Sequence, residues 1–501
     1  SKTVWLEAPV LTPVSSASAV CVIGAGYFRE LFRSAGIHAD YRNETDDLSA
    51  YRLLVVEKNA VTEGSRLNTV VREFASRGGR VIVFEQRVSL FPGLVLEPKQ
   101  MQTAFFRADG HPVFRGIDEK ELRFWSDDPY SLLSGDGYVT TFMYRKDDGS
   151  YMKPLLDAGE GGFGTGDLES TPLFEAREGK GLIVSCQMNV SDRFRTIPAA
   201  MKLIRNLLAY ADGWSAEKYT APVKCVFADS ITDAKLRAAL GAAKDGANVL
   251  VFRASRHTLD VITEVTGVRF RTHTERLGTW NCVKHENDAT NAGVSDADLC
   301  GYERFTYCKA GTADQTISEF VIRPAKVLHP LLETSPESCI YSMWPGYGRT
   351  EILRAYTATR FCYGEKLPHE LLAGWFAYGK GRVYFSVFHP VSVERDRFRR
   401  FENQLRRSLG DDPMKGKQSP LHGDAVVDTN PSGKGYPEIA YFFSGRLTDA
   451  ELKEKLELCA YQTERMEYSP ILFDGSFHEA EAADGVFAAV SADGAPVYMY
   501  S

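Results

Sequence analysis

The sequence predicts an α/β protein with two parallel-sheet domains in tandem and a small α+β region at the carboxyl end. Three observations lead to this prediction. Short apolar runs alternate with amphipathic segments in the first hundred residues. The same order of landmarks returns in the second half of the chain. A polar stretch rich in Asp, Pro, Gly, Lys and Ser then precedes the last residues.

The first predicted domain opens with a continuous apolar run at residues 19–24, which is typical of a strand buried on both faces. Residues 51–57 form a second such run. Apolar side chains then recur at three- and four-residue spacing through residues 62–77, which predicts a helix. Residues 80–84 are the next strand. A strand, a helix and a strand at this spacing predict a right-handed parallel crossover.

The second half repeats this plan. Residues 223–228 form a strand, an Ala/Leu-rich helix follows, and residues 248–252 match residues 80–84 in pattern. Two short motifs also recur in the same order, and a helix closes each copy. The motif pairs are His111-Pro112 with His329-Pro330, and Gly179-Lys180-Gly181 with Gly379-Lys380-Gly381. The recurrence predicts a duplication, with an insertion of about fifty residues in the second copy.

These landmarks set the expected domain bounds. The domains are residues 1–214 and 222–410, with the insertion at about 271–310, a mobile linker at 411–435 and an α+β tail at 436–501. Within the tail, the sequence predicts a strand at 439–443, a helix at 448–461, and a hairpin whose strands at 486–490 and 497–500 flank Ala492-Asp493-Gly494.

Composition restricts the class of function. The 501 residues include 59 Lys and Arg against 66 Asp and Glu, a net charge of −7, which gives no electrostatic signature of nucleic-acid or anionic-membrane binding. The longest apolar runs are too short to span a membrane, so we expect a soluble, cytoplasmic or periplasmic protein. Nine scattered cysteines argue against a disulfide framework, and Cys21, Cys186 and Cys225 lie in strand-like runs where we expect burial.

The landmarks together resemble a known family. The run Pro154-Leu155-Leu156-Asp157-Ala158, then Thr171-Pro172-Leu173-Phe174 and the Gly179-Lys180-Gly181 turn, is similar to class I glutamine-amidotransferase-like domains, in the degenerate form found as the trimerisation domain of some β-galactosidases. The resemblance covers residues 15–212 and, more loosely, 222–410. It implies two flavodoxin-like parallel sheets in tandem.

The sequence departs from the active members of that family at one position. Those members place a nucleophilic Cys in a sharp turn directly after a central strand. Here the matching positions hold Glu85-Gln86 and Arg253-Ala254, so amidotransferase activity is not expected. Gly24-Ala25-Gly26 also lacks the third glycine of a dinucleotide fingerprint, and we predict no nucleotide site there.

The resemblance leads to a functional hypothesis with two alternatives. The chain is a non-catalytic accessory or oligomerisation portion of a β-galactosidase-like glycoside hydrolase, and it packs against or shapes a sugar cleft. Its expected partners are a glycosidase catalytic domain or chain, or a second copy, with an oligosaccharide as a further candidate ligand. The alternatives are a self-contained glycoside hydrolase with a carboxylate pair between the copies, and a scaffold without sugar contact.

Residues that could serve glycoside hydrolysis are few, and the catalytic role stays unassigned. Glu85 follows a predicted parallel strand, where doubly wound sheets bind ligands, although a buried or capping carboxylate is the safer interpretation. Asp127 and Asp128 lie beside aromatic residues, but Ser-Asp-Asp-Pro is also strong turn chemistry.

Aromatic side chains in predicted loops are candidates for stacking against a sugar, with core or interface packing as the alternative. They are Trp125, Tyr130, Trp344 and Tyr347. In the insertion, Cys282 and His285 form half of a zinc pattern, while Cys300 and Cys308 are spaced too widely to complete it. We therefore predict no metal site and no cofactor.

Overall fold

The computed structural model describes the chain from Val20 to Tyr500 with gaps. The described residues are 20–108, 110–126, 137–159, 170–216, 219, 221–278, 282–284, 290, 294–295, 298–299, 316–334, 370–389, 395–422, 441–444, 478–483, 486–490 and 496–500. Those up to residue 422 belong to one compact unit, and those from residue 441 onward belong to a second unit.

The first part of the chain supplies eleven described strands. They are β1 (Val20–Ile23), β2 (Ala39–Tyr41), β3 (Leu53–Val56), β4 (Arg80–Val83), β5 (Leu96–Met101), β6 (Thr103–Phe106), β7 (Thr140–Arg145), β8 (Lys153–Gly159), β9 (Ser170–Thr171), β10 (Leu173–Glu178) and β11 (Gly181–Cys186). Four described helices accompany them, together with short 3-10 turns at Pro112–Phe114 and Glu119–Leu122. The helices are α1 (Arg29–Ser34), α2 (Leu67–Ser76), α3 (Val190–Arg193) and α4 (Pro198–Gly213).

Eight of these strands form one sheet in the order β2-β1-β3-β4-β11-β10-β8-β6. The first five are parallel and the last three are antiparallel. Strands β5, β7 and β9 form a small separate sheet. Every residue of β1 and β3 is buried, as their continuous apolar runs predict, because helices cover both faces. Alternate strand residues pack with α1 and α4 on one face and with α2 on the other.

The second half supplies a second sheet. Its described strands are β12 (Val223–Phe227), β13 (Asn248–Phe252), β14 (Thr272–Gly278), β15 (Cys282–Lys284), β16 (Thr316–Ile322), β17 (His329–Thr334), β18 (Leu371–Tyr378) and β19 (Gly381–Ser386). The order is β12-β13-β19-β18-β16-β14, and β17 joins β15 to β18. The described helices are α5 (Asp233–Lys244), α6 (Arg256–Thr266) and α7 (Arg395–Ser408).

The two sheets share one run of four strands. Strands β12, β13, β19 and β18 pair in the same order and sense as β3, β4, β11 and β10: two parallel pairings followed by one antiparallel pairing. The sheets differ beyond this run. In the described part of the second sheet β12 is an edge strand, whereas β3 is flanked by β1. Cys225 on β12 is accordingly only partly buried, while Cys21 on β1 is fully buried.

The repeated Gly-Lys-Gly turn has the same packing reason in both sheets. A Cβ on Gly181 would lie 2.2 Å from the carbonyl oxygen of Gly79, and one on Gly381 would lie 2.1 Å from that of Ala247. The hairpin therefore runs against the backbone just beyond the carboxyl end of α2 in the first half and of α5 in the second, at a distance that only glycine permits. This close approach accounts for the recurrence of the motif.

The two His-Pro pairs, in contrast, are alike in sequence but adopt different structures. His111 Nδ1 accepts a hydrogen bond from the backbone N–H of Val113 (3.4 Å) and caps the 3-10 turn that follows. His329 instead begins strand β17, and its ring stacks on Trp375 with the centroids 3.9 Å apart.

Helix α7 of the second half docks on the β7–β8 loop of the first half. Arg400 Nε donates to the carbonyl of Asp147 (2.7 Å), Asn403 donates to that of Asp148 (2.8 Å) and Arg407 to that of Ser150 (2.6 Å). A Cβ on Gly149 would lie 2.8 Å from Arg400 Cα, so the loop and the helix are in direct contact. Backbone carbonyls of one half thus accept hydrogen bonds from two arginines and one asparagine of the other.

Beneath this contact lies a cluster of buried charges. Arg107 is ion-paired with Asp298 and lies 3.5 Å from Asp157, Lys146 is ion-paired with Asp157, and Arg400 reaches Asp298 at 3.4 Å. Burial alone would favour the neutral acid, but the charges of Arg107 and Arg400 hold the pKa of Asp298 below its ordinary value. The two halves are therefore joined through ionised, paired groups.

Residues 411–422 lie outside the predicted second domain and within the predicted linker, yet they pack on the first sheet. Leu421 is 0% exposed and belongs to the core on the α2 face. Its carbonyl accepts from Asn68 (3.3 Å), and the carbonyl of Pro420 accepts from Gly93 N–H (2.8 Å). Leu421 and the partly buried Met414 anchor this otherwise polar stretch on the same core, which differs from the mobile connection that its composition predicts.

The second unit contains a described four-stranded antiparallel sheet in the order β20-β23-β22-β21. Its strands are β20 (Tyr441–Ser444), β21 (His478–Ala483), β22 (Val486–Val490) and β23 (Pro496–Tyr500). Strands β22 and β23 are the two arms of the predicted hairpin. The helix predicted at 448–461 lies outside the described residues. Across the described chain, no helix is both long and apolar enough to cross a membrane.

Substitution of Gly381 by Ala tests the packing of the hairpin against α5. We expect the variant to lower the melting temperature by several degrees, since forcing an extra methyl into a packed site costs about 1–3 kcal/mol. The matched control is Gly241→Ala in helix α5, where a Cβ has open space around it. This control should be neutral or stabilising. Equal effects of the two substitutions would contradict the close approach.

Candidate functional site

A polar cleft opens at the carboxyl ends of the parallel strands β3, β4 and β11, where α/β sheets bind ligands. Its volume is about 250 Å³. The lining residues follow these strands, or come from β5, from β7 and the residues just before it, and from α3. They are Lys58, Asn59, Glu85, Gln86, Arg87, Gln100, Tyr138, Thr141, Phe142, Gln187, Asn189, Asp192 and Arg193.

Glu85 is the buried carboxyl group of this cleft. It follows β4 by two residues, and its side chain is 6% exposed. The backbone N–H of Ser191, in α3, donates to Oε1 at 2.7 Å, and the Ser191 hydroxyl bonds Oε2 at 2.6 Å. Burial raises the pKa of Glu85 to about 7, although the Ser191 hydrogen bonds and Lys58 favour the ionised form. Glu85 therefore titrates near neutral pH.

Two buried glutamines hold the loops around Glu85. Gln86 Nε2 donates to the carbonyls of Glu57 and Phe84 (both 2.8 Å), and its Oε1 accepts from Val61 N–H (2.9 Å). The backbone N–H of Gln86 in turn donates to Gln187 Oε1 (2.9 Å). The ends of β3, β4 and β11 are thus linked by side-chain hydrogen bonds, which fixes the cleft wall.

The rim of the cleft is also built from paired groups. Lys58 forms an ion pair with Asp192. Thr141 donates to Asn189 Oδ1 (3.3 Å), and Asn189 Nδ2 donates to the carbonyl of Tyr138 (2.9 Å). Asn59 has a left-handed φ of 54° and donates its N–H to the carbonyl of Glu85 (2.8 Å). The rim residues are therefore positioned before any ligand enters.

The corresponding position of the second sheet holds Arg253, with a left-handed φ of 59°. Its guanidinium donates two hydrogen bonds to Glu402 of α7 (3.0 and 2.9 Å) and one to Asp229 (3.2 Å), and it lies over the ring of Phe227. Burial raises the pKa of Glu402 above its ordinary value, although the hydrogen bonds from Arg253 oppose this. Arg253 is a structural clamp between β13 and α7.

The described cysteine thiols lie within strands and do not follow a strand end as Glu85 and Arg253 do. Cys21 and Cys186 are buried in β1 and β11, as predicted, and Cys225 lies in the edge strand β12. Burial raises the pKa of Cys21 and of Cys225 to about 12, and that of Cys186 further. A nucleophilic cysteine needs a lowered pKa, so these three thiols are inert at neutral pH.

The Gly24-Ala25-Gly26 turn is closed by the protein's own carboxylate. Glu57 accepts hydrogen bonds from the backbone N–H groups of Gly26 (2.5 Å), Tyr27 (3.0 Å) and Phe28 (2.9 Å). These are the donors that a dinucleotide phosphate would need. The Glu57 side chain thus occupies the anion position at this turn.

Trp125 lies in the core of the first half. It is 1% exposed, and its Nε1 donates to the carbonyl of Glu121 (2.8 Å). Its ring presents no face for stacking against a sugar, which agrees with the core alternative. The other sequence candidates, Asp127, Asp128, Tyr130, Trp344 and Tyr347, lie outside the described residues.

Among the possible zinc ligands, Cys282 lies in β15, and His285, Cys300 and Cys308 are outside the described residues. In the part of the chain that the structure describes, no cluster of three His, Cys, Asp or Glu side chains could hold a metal ion.

Sequence reasoning singled out Glu85 but not its neighbours. Ser191, Gln187, Asn189 and Lys58 each follow a strand of the sheet within a few residues. The position directly after a parallel strand was a usable signal for Gln187, Asn189 and Lys58. Ser191 belongs to a helical turn whose approach to Glu85 depends on tertiary packing, and the sequence has no local sign of it.

No protein-family model matches the chain, and no curated protein matches it. Solved structures match part of it. A putative ThuA-like protein from Parabacteroides merdae is 12% identical, with 42% of this chain and 94% of that chain covered and a TM-score of 0.27. PurLQS from Thermotoga maritima is 11% identical, with 38% and 98% covered and a TM-score of 0.25.

A β-galactosidase from Rahnella sp. R3 is 14% identical, with 37% of this chain covered and a TM-score of 0.22. The matched region is 31% of the β-galactosidase chain, so this chain spans about a third of that enzyme. Further glycoside hydrolases are among the matched structures. Since all these TM-scores are below 0.5, no functional argument is based on them.

The buried Glu85 carboxyl predicts a specific dependence of stability on pH. Its pKa is 4.5 when unfolded and about 7 when folded, so the unfolded chain releases its proton first as pH rises. The contribution of Glu85 to the free energy of unfolding is therefore fully present below about pH 4.5 and is lost as pH rises to about 7, by roughly 3 kcal/mol at ~1.4 kcal/mol per pKa unit. Glu85→Gln mimics the protonated form and should remove this loss.

Thermal melting of the full chain at pH 5 and pH 8 checks this prediction. The Glu85→Gln variant should melt above the wild type at pH 8, with a much smaller difference at pH 5. Glu63→Gln, at an exposed position beyond β3, is the control and should follow the wild type. If Glu85→Gln has the same melting temperature as the wild type at both pH values, the pKa of Glu85 is not raised in the folded protein and the prediction is wrong.

Proposed function

We propose that this chain is a non-catalytic accessory portion of a β-galactosidase-like carbohydrate-active enzyme, in which two degenerate amidotransferase-like domains serve packing and oligomerisation. One observation carries the non-catalytic part. The two positions where active members of the family place their nucleophile hold Glu85 and Arg253, and both are committed to structural contacts, with Ser191 and with Glu402. The carbohydrate part comes from the sequence resemblance.

The contact between the two halves supports a packing role. Helix α7 covers the β7–β8 loop, and the ion pairs of Arg107, Asp298 and Arg400 are buried under it. Removing one partner of a buried pair leaves an uncompensated charge, which costs about 3–5 kcal/mol. An interface of this kind joins two domains permanently and suits a supporting part of an enzyme.

The alternative of a self-contained glycosidase requires a free carboxylate pair between the halves. Among the described residues, Asp157 and Asp298 are the buried carboxylates at this contact. They are buried and paired with Arg107, Lys146 and Arg400, so neither carboxylate is free to act on a sugar. The arrangement favours the accessory role over this alternative.

Two measurements on the purified full chain test the proposal. A screen with chromogenic glycosides and an assay of ammonia release from glutamine should both show no turnover. Native mass spectrometry at micromolar concentration should show self-association. The glycoside screen needs a known β-galactosidase as its positive control.

Hydrolysis of any glycoside by the chain alone would contradict the non-catalytic role and favour the self-contained enzyme. Release of ammonia from glutamine would contradict the structural assignment of Glu85 and Arg253. A strictly monomeric chain would contradict the role in oligomerisation.

A further inference from the structure

The cleft above Glu85 carries an excess of positive charge. Lys58, Arg87 and Arg193 line it as cations, and its lining carboxyl groups are Asp192 and Glu85. Asp192 is ion-paired with Lys58. Because burial raises the pKa of Glu85 to about 7, this carboxyl group is mainly neutral in mildly acidic solution. Three cations then face one ionised carboxylate, which favours an anionic ligand.

The neutral part of the lining consists of hydrogen-bonding groups. Asn59, Gln100, Tyr138, Thr141 and Asn189 contribute amides and hydroxyls. Phe142 is the one purely apolar side chain among the lining residues. An apolar ligand would remove water from these polar groups and offer no hydrogen bonds in return, which costs free energy, whereas ligand hydroxyl groups can hydrogen-bond to them.

The size of the cleft limits the ligand. Its volume of about 250 Å³ is below the range of roughly 300–1,000 Å³ that holds drug-sized ligands. A molecule of monosaccharide size fits, and an oligosaccharide would extend beyond the cleft.

We propose that this cleft binds a small anion that carries hydroxyl groups, a phosphorylated or carboxylated monosaccharide. Arg87 attracts the anionic group, and the amides and hydroxyls of the lining bind the sugar hydroxyls. The proposal goes beyond the accessory role and does not depend on it, since it concerns only the first sheet. Self-association and absence of turnover test the accessory role, and neither result bears on whether the cleft binds this ligand.

Binding should weaken as pH rises through neutrality. The groups that face Glu85 are Ser191 and Lys58, the thiol of Cys186 at the end of β11, and the charged neighbours Arg87, Asp192 and Arg193. Of the groups in this set, Glu85 is the one whose raised pKa brings its titration close to pH 7. Ionisation of Glu85 places a negative charge beside the bound anion, and the repulsion between the two weakens binding.

Isothermal titration calorimetry on the full chain tests the proposal with four probes: glucose 6-phosphate, glucuronate, glucose and inorganic phosphate. We expect one of the two charged sugars to bind with a dissociation constant below about 1 mM at pH 6, and glucose and phosphate to bind at least tenfold more weakly. The comparison of glucose 6-phosphate with glucuronate distinguishes a phosphate from a carboxylate ligand.

Three variants locate the binding. Arg87→Ala should weaken the charged sugar about tenfold, and Arg33→Ala, an exposed arginine on α1 away from the cleft, should not. Raising pH from 6 to 8 should weaken glucuronate, whose own charge is constant over that range. Glu85→Gln should abolish this pH effect.

Three results would overturn the proposal. The first is no binding of either charged sugar at 10 mM, and the second is glucose or phosphate binding as tightly as the charged sugar. The third is equal affinity of the Arg87→Ala and Arg33→Ala variants.

Discussion

In each of the two sheets a charged side chain follows a central parallel strand: Glu85 follows β4, and Arg253 follows β13. The packing around each strand end depends on how this charge is neutralised. In the first sheet Glu85 is enclosed by α3 and by the loops that follow β3 and β11, and it is neutralised by a proton near neutral pH. In the second sheet Arg253 is neutralised by Glu402 and Asp229. At the same structural position, the charge is thus neutralised by a proton in the first sheet and by ion pairs in the second. Each arrangement holds the helix that packs over the strand end, α3 in the first sheet and α7 in the second.

These two arrangements have different consequences for chemistry. Arg253 donates two hydrogen bonds to the buried carboxylate of Glu402, so this arginine is committed to a structural contact. The first strand end keeps a carboxyl group that titrates near neutral pH beside a polar, cationic cleft. The cleft for which we propose ligand binding therefore lies in the first half, while the second half provides α7, which packs on the first half.

Much of the fold could be predicted from local sequence. Continuous apolar runs gave β1, β3, β4 and β13, because a strand covered on both faces has apolar side chains throughout. The Gly-Lys-Gly turns were predicted from recurrence, and the structure explains them by backbone contact at Gly181 and Gly381. In the second unit, the hairpin of β22 and β23 followed from its turn signal.

The remainder depended on partners distant in sequence. The burial of Leu421 in the first core, the closure of the Gly24-Ala25-Gly26 turn by Glu57 and the hydrogen bonds of Ser191 to Glu85 join residues between about 30 and 350 positions apart. Trp125 illustrates the same limit, because an aromatic residue beside turn chemistry has the same local pattern in a core as on a sugar platform. For the site, the sequence identified one residue, and the fold supplied the rest.

The most direct test of the central claim is the titration of the Glu85 carboxyl group itself. The chain labelled with ¹³C at the glutamate side-chain carboxyl, with Glu85→Gln for assignment, gives the midpoint by nuclear magnetic resonance. The account predicts a midpoint near pH 7. A midpoint near 4.5, the ordinary value of a solvent-exposed glutamate, would contradict it.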